Sequence, residues 1–410
     1  MTSAPTFSDQ LPEPLFWGLL ALAGATVAGI AVHLIWSNFV SPKGKSIASQ
    51  FGLPNLHNVA FVIAVLLWSA LTLLLTSSLF GLILATLELS GNNRDDLFYV
   101  LRIGGLTAVL GAVIALPFTV IRLRLTQDQT DTARDSLFND KINEATKGLY
   151  ARRQVTLGEG AEAKDHWQDD IVQRNAAIDR LEGLAHEKPT EVPRIARLLS
   201  VYVRELSVEV PAQDPPKDAT PNELQKWATE LPKLRSDMEK AAQTLGRLEG
   251  IAPGLLAART IDLHGANLQN ADLENANFTR AHLEEARLQG SSLHKTVLKQ
   301  SDLYRAQLQA ADLHSANLQE ADLAEAQLFA TEGVDSAFFQ GASVKGCDFS
   351  DVPEITSHLK SMFGDTSVLL PLDLRSDDDE WPSDWLKEDV KWDDFLEEWR
   401  KWRNTPSKEG

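Results

Sequence analysis

Hydrophobic residues are distributed unevenly along the 410 residues of the chain. Three long apolar stretches, at about residues 14–36, 58–87 and 97–121, precede a polar remainder rich in Asp, Glu and Gln. Each stretch reaches the roughly 20 helical residues that a hydrocarbon layer about 30 Å thick requires. The pattern predicts a membrane domain over residues 14–125 with three transmembrane helices, preceded by an extracytoplasmic segment at residues 1–13.

Positively charged residues predict the orientation of this membrane domain. Lys43 and Lys45 follow the first apolar stretch, and Arg122 and Arg124 follow the third. Because Lys and Arg collect on the cytoplasmic side of membrane proteins, we expect the amino terminus outside and the later domains in the cytoplasm. The lipid bilayer is therefore an expected partner, and a bacterial inner membrane is the expected location.

A small transporter or channel is an alternative to an anchor. Ionisable residues inside transmembrane helices mark transport pathways, and His33 and Arg102 occur in the first and third stretches. His33 lies near a helix end, and Arg102 can extend its side chain to the interface. We therefore favour an anchor, and ion flux through residues 1–125 in liposomes would test the alternative.

Residues 126–250 have the spacing of amphipathic helices, as in the runs 171–184 and 195–206. The apolar-poor segment 211–221 predicts an extended linker. Thr220, Pro221 and Glu223 then match a helix start, with Thr as the cap and Pro in the first turn. We expect an α-helical region whose last helix runs toward Leu248.

A period of five begins at Leu263, with a large apolar residue at every fifth position, usually an Ala two places earlier, and often Asn or Asp between them. An α-helix would spread this period around its surface, and a flat strand would send alternate members to opposite faces. A chain that turns a corner every five residues buries them all. The predicted inward set is Leu263, Leu268, Leu273, Phe278, Leu283, Leu288, Leu293, Leu298, Leu303, Leu308, Leu313, Leu318, Leu323, Leu328 and, after a slip at residues 331–333, Phe339 and Phe349.

This repeat resembles the pentapeptide-repeat family. The resemblance implies a right-handed quadrilateral β-helix, with four repeats per coil, over residues 251–350. The runs at residues 179–186 and 195–205 also resemble the helical region that precedes the repeats in membrane-bound members. Because the first coil of a solenoid cannot cover its own end, it needs a cap, and the helix before Gly250 is the expected one.

Outward residues twenty apart would lie one coil above the other, so Glu274, His294 and His314 would form a column. Imidazole and carboxylate can bind metals, but this column lacks a closed coordination shell, so we expect a solvated surface and no metal. Cys347, the only cysteine, has the phase of the inward alanines and is expected to be buried rather than a nucleophile.

The last segment, residues 351–410, is acidic and rich in tryptophan. Trp392, Phe395, Leu396 and Trp399 recur at the spacing of an amphipathic helix. Such an aromatic face must be covered, either by capping the solenoid or by docking a partner or a second copy. The sequence leaves both alternatives open.

Charge and motifs limit the function. The formal charge of −18 argues against direct binding to duplex nucleic acid, whose phosphates attract basic surfaces. The sequence has no Walker loop, Rossmann glycine pattern, paired-cysteine zinc spacing or serine elbow, so we expect no catalytic residues and no cofactor.

We therefore predict a multi-domain, non-enzymatic, membrane-anchored scaffold that presents its solenoid to an unknown cytoplasmic protein partner or to a second copy. A second hypothesis is inhibition of a type II topoisomerase, because some soluble pentapeptide-repeat proteins mimic duplex DNA. The repeat, residues 261–350, has 13 acidic and 6 basic residues, a modest bias. A gyrase supercoiling assay would separate the two hypotheses.

Overall fold

The computed structural model describes residues 58–87, 93–157, 164–371 and 381–404. The chain divides into two compact units, Met1–Leu137 and Phe138–Gly410. The predicted extracytoplasmic segment and the first predicted transmembrane helix, residues 14–36, lie outside the described residues.

The first unit contains helix α1, Asn58–Leu87, and most of helix α2, Asn93–Leu149. Within the described residues, one helical segment, Val100–Leu149, is long and apolar enough to cross a membrane, and Val65–Gly81 is a shorter apolar segment. Helix α2 continues beyond the predicted end of the third apolar stretch, because no Gly or Pro interrupts residues 122–147.

Many apolar side chains of helices α1 and α2 are exposed. Leu67 and Phe118 are 67 % and 68 % exposed. The indole N–H of Trp68 donates to the carbonyl of Val113 at 3.0 Å, so the two helices lie side by side. Exposed apolar surface of this kind is stable in lipid rather than in water.

The second unit begins with a helical region, as predicted. Helices α3, Ile171–Glu187, and α4, Val192–Glu209, both pack against α6, Ser236–Ile251. Each buries an apolar stripe at helical spacing, and the stripe of α4 includes Ile195, Leu199 and Leu206.

The helical region differs from the prediction at two places. An antiparallel hairpin interrupts it, formed by β1, Arg152–Leu157, and β2, Lys164–Asp169, because the β-branched Val155 and Thr156 favour a strand and glycines lie between the strands. The single helix expected up to Leu248 is two helices, because Pro232 lacks the N–H that a helix interior needs.

The predicted start of helix α5, Pro221–Glu230, is confirmed. The hydroxyl oxygen of Thr220 accepts a hydrogen bond from the backbone N–H of Glu223. The Glu223 carboxylate accepts in return from the backbone N–H of Thr220 at 2.8 Å. This reciprocal capping satisfies two donors that would otherwise lack partners.

A buried ionic cluster joins the hairpin to three helices. Asp237, at 0 % exposure, accepts a hydrogen bond from the Tyr202 hydroxyl at 2.7 Å and pairs with Arg235 at 2.8 Å. Arg174 and Arg235 both pair with Asp169, at 2.6 and 2.9 Å. Burial, with the nearby Asp237 carboxylate, raises the pKa of Tyr202. Removing any one of its four charged side chains would leave an uncompensated charge, so the cluster holds these elements in one arrangement.

The repeat folds into a parallel β-solenoid with four units per coil. From the pair Asp262 and His282 to the pair Asp312 and Glu332, each bridging residue pairs with the residue twenty positions later. The N–H of Leu268 donates to the carbonyl of the next coil, on Arg287, at 2.8 Å. All sixteen predicted inward side chains are at most 1 % exposed.

The slip of the repeat at residues 331–333 is confirmed by a change in the spacing of paired residues. The pairs that span the slip, Asn317 with Phe338 and Asp322 with Ser343, are twenty-one residues apart. Gly333 adopts a left-handed conformation with φ of 71° before a short 3₁₀ turn, Val334–Ser336. The ladder then continues beyond residue 350, through the pair Asp348 and Leu369.

The Asn and Asp residues between the inward positions shape the turns. The side chain of Asn267 accepts a hydrogen bond from the backbone N–H of Gln269. In the same way, each of Asp272, Asp312 and Asn317 accepts from the backbone N–H of the residue two positions later. This is the short-range hydrogen bond that makes Asn and Asp favourable in turns.

Candidate functional site

The helical region closes the amino-terminal edge of the solenoid. In later coils, each bridging N–H donates to the carbonyl of the previous coil, but the first coil has no predecessor. Its four donors are capped by other groups of the same chain. The N–H groups of Asp262, Asn267, Asp272 and Asn277 donate to Ser200 Oγ, Ser207 Oγ, Glu239 Oε1 and the Gly246 carbonyl, at 3.2, 2.9, 3.0 and 2.8 Å.

The prediction that the helix before Gly250 caps the first coil is therefore confirmed, with helix α4 as an additional part of the cap. Helix α4 supplies both serine hydroxyls, and helix α6 supplies the carboxylate and the carbonyl. Gly246 lies so close to the coil that an added Cβ would be 2.4 Å from the Cβ of Ala276. The two helices thus accept the hydrogen bonds that a preceding coil would otherwise accept.

The chain also closes the carboxyl-terminal end. Short 3₁₀ turns, Pro353–Ser357 and Leu359–Ser361, lead into the last coil. Trp385 is buried over this end, and its indole N–H donates to the Met362 carbonyl at 2.8 Å. Its ring packs so closely that an added Cβ on Gly364 would lie 2.9 Å from it.

Helix α7, Trp392–Asn404, packs along one side of the solenoid. Phe395 is fully buried against Phe363, and the Trp399 indole donates to the Gly341 carbonyl at 2.9 Å. Trp392 contacts Tyr304 with ring centroids 5.3 Å apart, and Leu396 is half-buried. Docking of a partner through this aromatic face would need exposed rings, and the structure instead packs the face on the chain itself.

The predicted linker and helix α5 also lie against the solenoid. Asp214 pairs with Arg287 at 2.5 Å, and the side-chain amide of Gln225 donates to the Ala330 carbonyl at 2.6 Å. Ala228 contacts the turn at Gly290, where an added Cβ would lie 3.0 Å from the Ala228 Cβ. The linker is extended, as expected, but its contacts attach it to the solenoid.

The corner that carries Glu274 and His314 is exposed, together with Lys295 and Ser315. These outward side chains are anchored on a hydrogen-bonded backbone, because the N–H of Lys295 donates to the His314 carbonyl at 2.9 Å. The corner therefore combines a rigid framework with exposed side chains, which suits recognition of a large partner.

The predicted column of Glu274, His294 and His314 does not converge on one point. His314 Nδ1 lies 2.6 Å from Asp312 Oδ1, and this hydrogen bond raises the pKa of His314. His264, His282 and Glu284 converge on another side of the first coils. Comparison of residues twenty apart pairs His264 with Glu284 but misses His282, which lies two residues before Glu284.

Cys347 is buried, as its phase predicts. Its thiol donates to the Leu323 carbonyl at 3.0 Å, and burial raises its pKa. A protonated, enclosed thiol is a poor nucleophile, so Cys347 belongs to the core.

The geometry defines a class of protein, the square parallel β-solenoids built from five-residue units. The Pentapeptide repeats family matches residues 261–300 and 301–328 in 8 copies. Residues 261–328 of the chain are thus pentapeptide repeats, and these repeats imply a right-handed β-helix. No curated protein matches the chain.

Several solved structures are similar to part of the chain. A pentapeptide repeat protein from the thylakoid lumen of Arabidopsis thaliana is 28 % identical over 25 % of this chain and 77 % of its own, with a TM-score of 0.19. One from Nostoc PCC 7120 is 28 % identical over 28 % and 85 %, with a TM-score of 0.16. QnrB1, a plasmid-mediated fluoroquinolone resistance protein, is 15 % identical over 34 % and 72 %, with a TM-score of 0.17.

Proposed function

We propose that this protein is a non-enzymatic scaffold, anchored in a membrane by three transmembrane helices, that presents the sides of its solenoid to a protein partner in the cytoplasm. The observation that carries the proposal is the closure of both ends of the solenoid by the chain's own segments. Because the ends are covered, the sides offer the rigid surface for binding.

The exposed corner around Lys295 and His314 is the part of the solenoid best suited to this role. Other parts of the solenoid surface are covered, because helix α7 packs on Tyr304 and helix α5 packs on the turn at Gly290. The corner residues are exposed and are spaced regularly by the coil repeat, at about 4.8 Å per coil. A partner that contacts side chains of several coils at once gains specificity, and the rigid scaffold does not have to rearrange on binding.

The binding proposal is tested by proximity labelling from the carboxyl terminus of the full chain. We expect the double variant Lys295→Glu and His314→Glu to lose proteins that the wild type labels. The matched control is Glu354→Arg, an exposed charge change in a 3₁₀ turn at the carboxyl-terminal end. Identical labelling by all three proteins would overturn the role of the corner.

The membrane part of the proposal is supported by the apolar surface of α1 and α2. It is tested by washing cell membranes at high pH, which removes peripheral proteins but leaves integral ones. We expect the full chain to stay in the pellet. Release into the supernatant would show that the apolar helices do not anchor the protein, whatever the solenoid binds.

A further inference from the structure

His264, His282 and Glu284 form a convergent group near the start of the solenoid. One possible ligand atom from each lies within 4.8 Å of the others. Glu284 Oε2 is 2.9 Å from His282 Nε2 and 3.9 Å from His264 Nδ1. Tetrahedral coordination with bonds of about 2.0–2.1 Å places ligand atoms roughly 3.3 Å apart. Small side-chain rotations are therefore enough to bring these three atoms around one metal ion.

The surroundings of the His282 ring favour a cation at this point. Its Nδ1 lies 3.2 Å from Asp262 Oδ1, while its Nε2 faces Glu284. A neutral imidazole has a single N–H and can donate to only one of these two carboxylates. If Nδ1 donates to Asp262, the lone pair of Nε2 points at the oxygen of Glu284, and a cation between them removes the repulsion.

Asp262 is held in the position that orients His282. Its Oδ1 also accepts a hydrogen bond from the backbone N–H of His264 at 3.2 Å, and its Oδ2 pairs with Arg204 of helix α4 at 2.7 Å. A carboxylate on the far nitrogen of a histidine is the usual second-layer support of a metal ligand, because it sets the tautomer.

The backbone under the ligands is rigid. The N–H of His282 donates to the Ile261 carbonyl at 2.9 Å, and the N–H of Leu263 donates to the His282 carbonyl at 2.8 Å. The two imidazole rings stack with centroids 5.4 Å apart. Asp302, which lies 3.9 Å from His282 Nε2, is paired with Arg259 at 2.9 Å.

We propose that His264, His282 and Glu284 bind a late first-row divalent cation such as Zn²⁺, with Asp262 as a positioning residue and water in the remaining coordination position. Two imidazoles and one carboxylate suit zinc and its neighbours, whereas Ca²⁺ and Mg²⁺ prefer oxygen ligands alone. The bound ion links the first coil to the second, next to the helical cap.

The test is titration of the purified, chelator-treated full chain with ZnCl₂ by calorimetry, in detergent and with excess Mg²⁺ present. We expect a single zinc ion per chain, and a loss of affinity in His282→Gln and Glu284→Gln that exceeds the roughly 10–100-fold typical of supporting residues. The matched control is His294→Gln, on another corner, which should bind zinc like the wild type.

A cobalt titration supplies a second readout that does not depend on stability. Co²⁺ in the site should give visible absorption that Zn²⁺ abolishes, and Glu284→Gln should lack it. Circular dichroism checks that each variant is folded. If His282→Gln does not fold, the metal binding of Glu284→Gln alone tests the proposal. The proposal is overturned if the wild type binds neither ion, or if both variants bind as it does.

Discussion

Every fifth residue of the solenoid has a left-handed backbone, and most of these residues are not glycine. Asn275, Glu285, Lys295 and Arg305 have φ between 55° and 60°. For residues with a Cβ, this conformation costs roughly 1–2 kcal/mol. The cost is offset because each corner brings another large side chain into the core.

Replacing one such residue tests this cost directly. We expect Lys295→Gly to stabilise the solenoid by up to about 1 kcal/mol, since the relief of strain exceeds the entropic cost of glycine. Gly265→Ala, at the same register with open space around it and a φ of 62°, should destabilise by about 1 kcal/mol. Chemical denaturation of the full chain measures both, and the same sign for the two variants would contradict the explanation.

Asp322 gives the solenoid a pH-dependent cost. Burial, with the nearby Asp302 carboxylate, raises its pKa to about 6 from an ordinary value of 3.8. The folded state therefore binds a proton that the unfolded state has released between these values. This group's contribution to stability is greatest at low pH and declines as pH rises from about 4 through 6.

Asp322→Asn should remove this decline. Asn keeps an oxygen that can accept from the Ser343 hydroxyl and from the Ala324 N–H, which lie 2.7 and 3.1 Å from Asp322 Oδ1. We expect a higher melting temperature than wild type at pH 7.5 and no such gain near pH 4. Asp351→Asn, at an exposed carboxyl, is the control. An equal gain at both pH values would rule out the ionisation of Asp322 as the cause.

The buried residues were predictable at this scale, because the five-residue period has a single geometric solution. The left-handed positions were not, since Glu, Lys and Arg at these places carry no turn signal. The period places Glu284 one coil above His264, but the approach of His282 to this pair depends on which neighbouring columns share a side of the coil. That detail follows from the turn geometry and not from the period.

At the scale of elements, the helical cap is the feature that sequence pattern identified only in outline. A cap before Gly250 was expected because the first coil cannot pair with itself. Its use of Ser200 and Ser207 on α4 could not be foreseen, since serine on a helix gives no sign of its partner. The hairpin β1–β2 was missed because its strands are short and flanked by helical sequence.

Gly246 offers a direct test of the cap. We expect Gly246→Ala to destabilise the second unit by about 1–3 kcal/mol, because the added methyl overlaps Ala276. Gly250→Ala on the same helix meets no atom within 4 Å and should be neutral or stabilising. Hydrogen exchange tests whether the cap itself is weakened. The amide of Asn277 donates to the Gly246 carbonyl, so it should lose protection from exchange only in Gly246→Ala. Equal behaviour of the two variants would mean that the close contact is unimportant.

At the scale of the whole molecule, the single buried cysteine makes the orientation testable. We expect the native full chain to resist maleimide at pH 8 until it is denatured, because Cys347 is enclosed and its raised pKa keeps it a thiol. Glu274→Cys adds an exposed thiol.

In intact cells that variant should react only with a membrane-permeant maleimide, since the solenoid is expected in the cytoplasm. Modification by an impermeant reagent would place the solenoid outside. Reaction of the unmodified chain under native conditions would show that the core around Cys347 opens readily.

The four hydrogen bonds that Ser200, Ser207, Glu239 and Gly246 accept from the first coil also bear on how copies of this protein meet. A bare parallel edge is a template on which the last coil of another molecule can add, and repeated addition produces a filament. Here any such polymerisation must first displace two helices that belong to the same chain. High local concentration can therefore bring many molecules together without joining their solenoids into a filament.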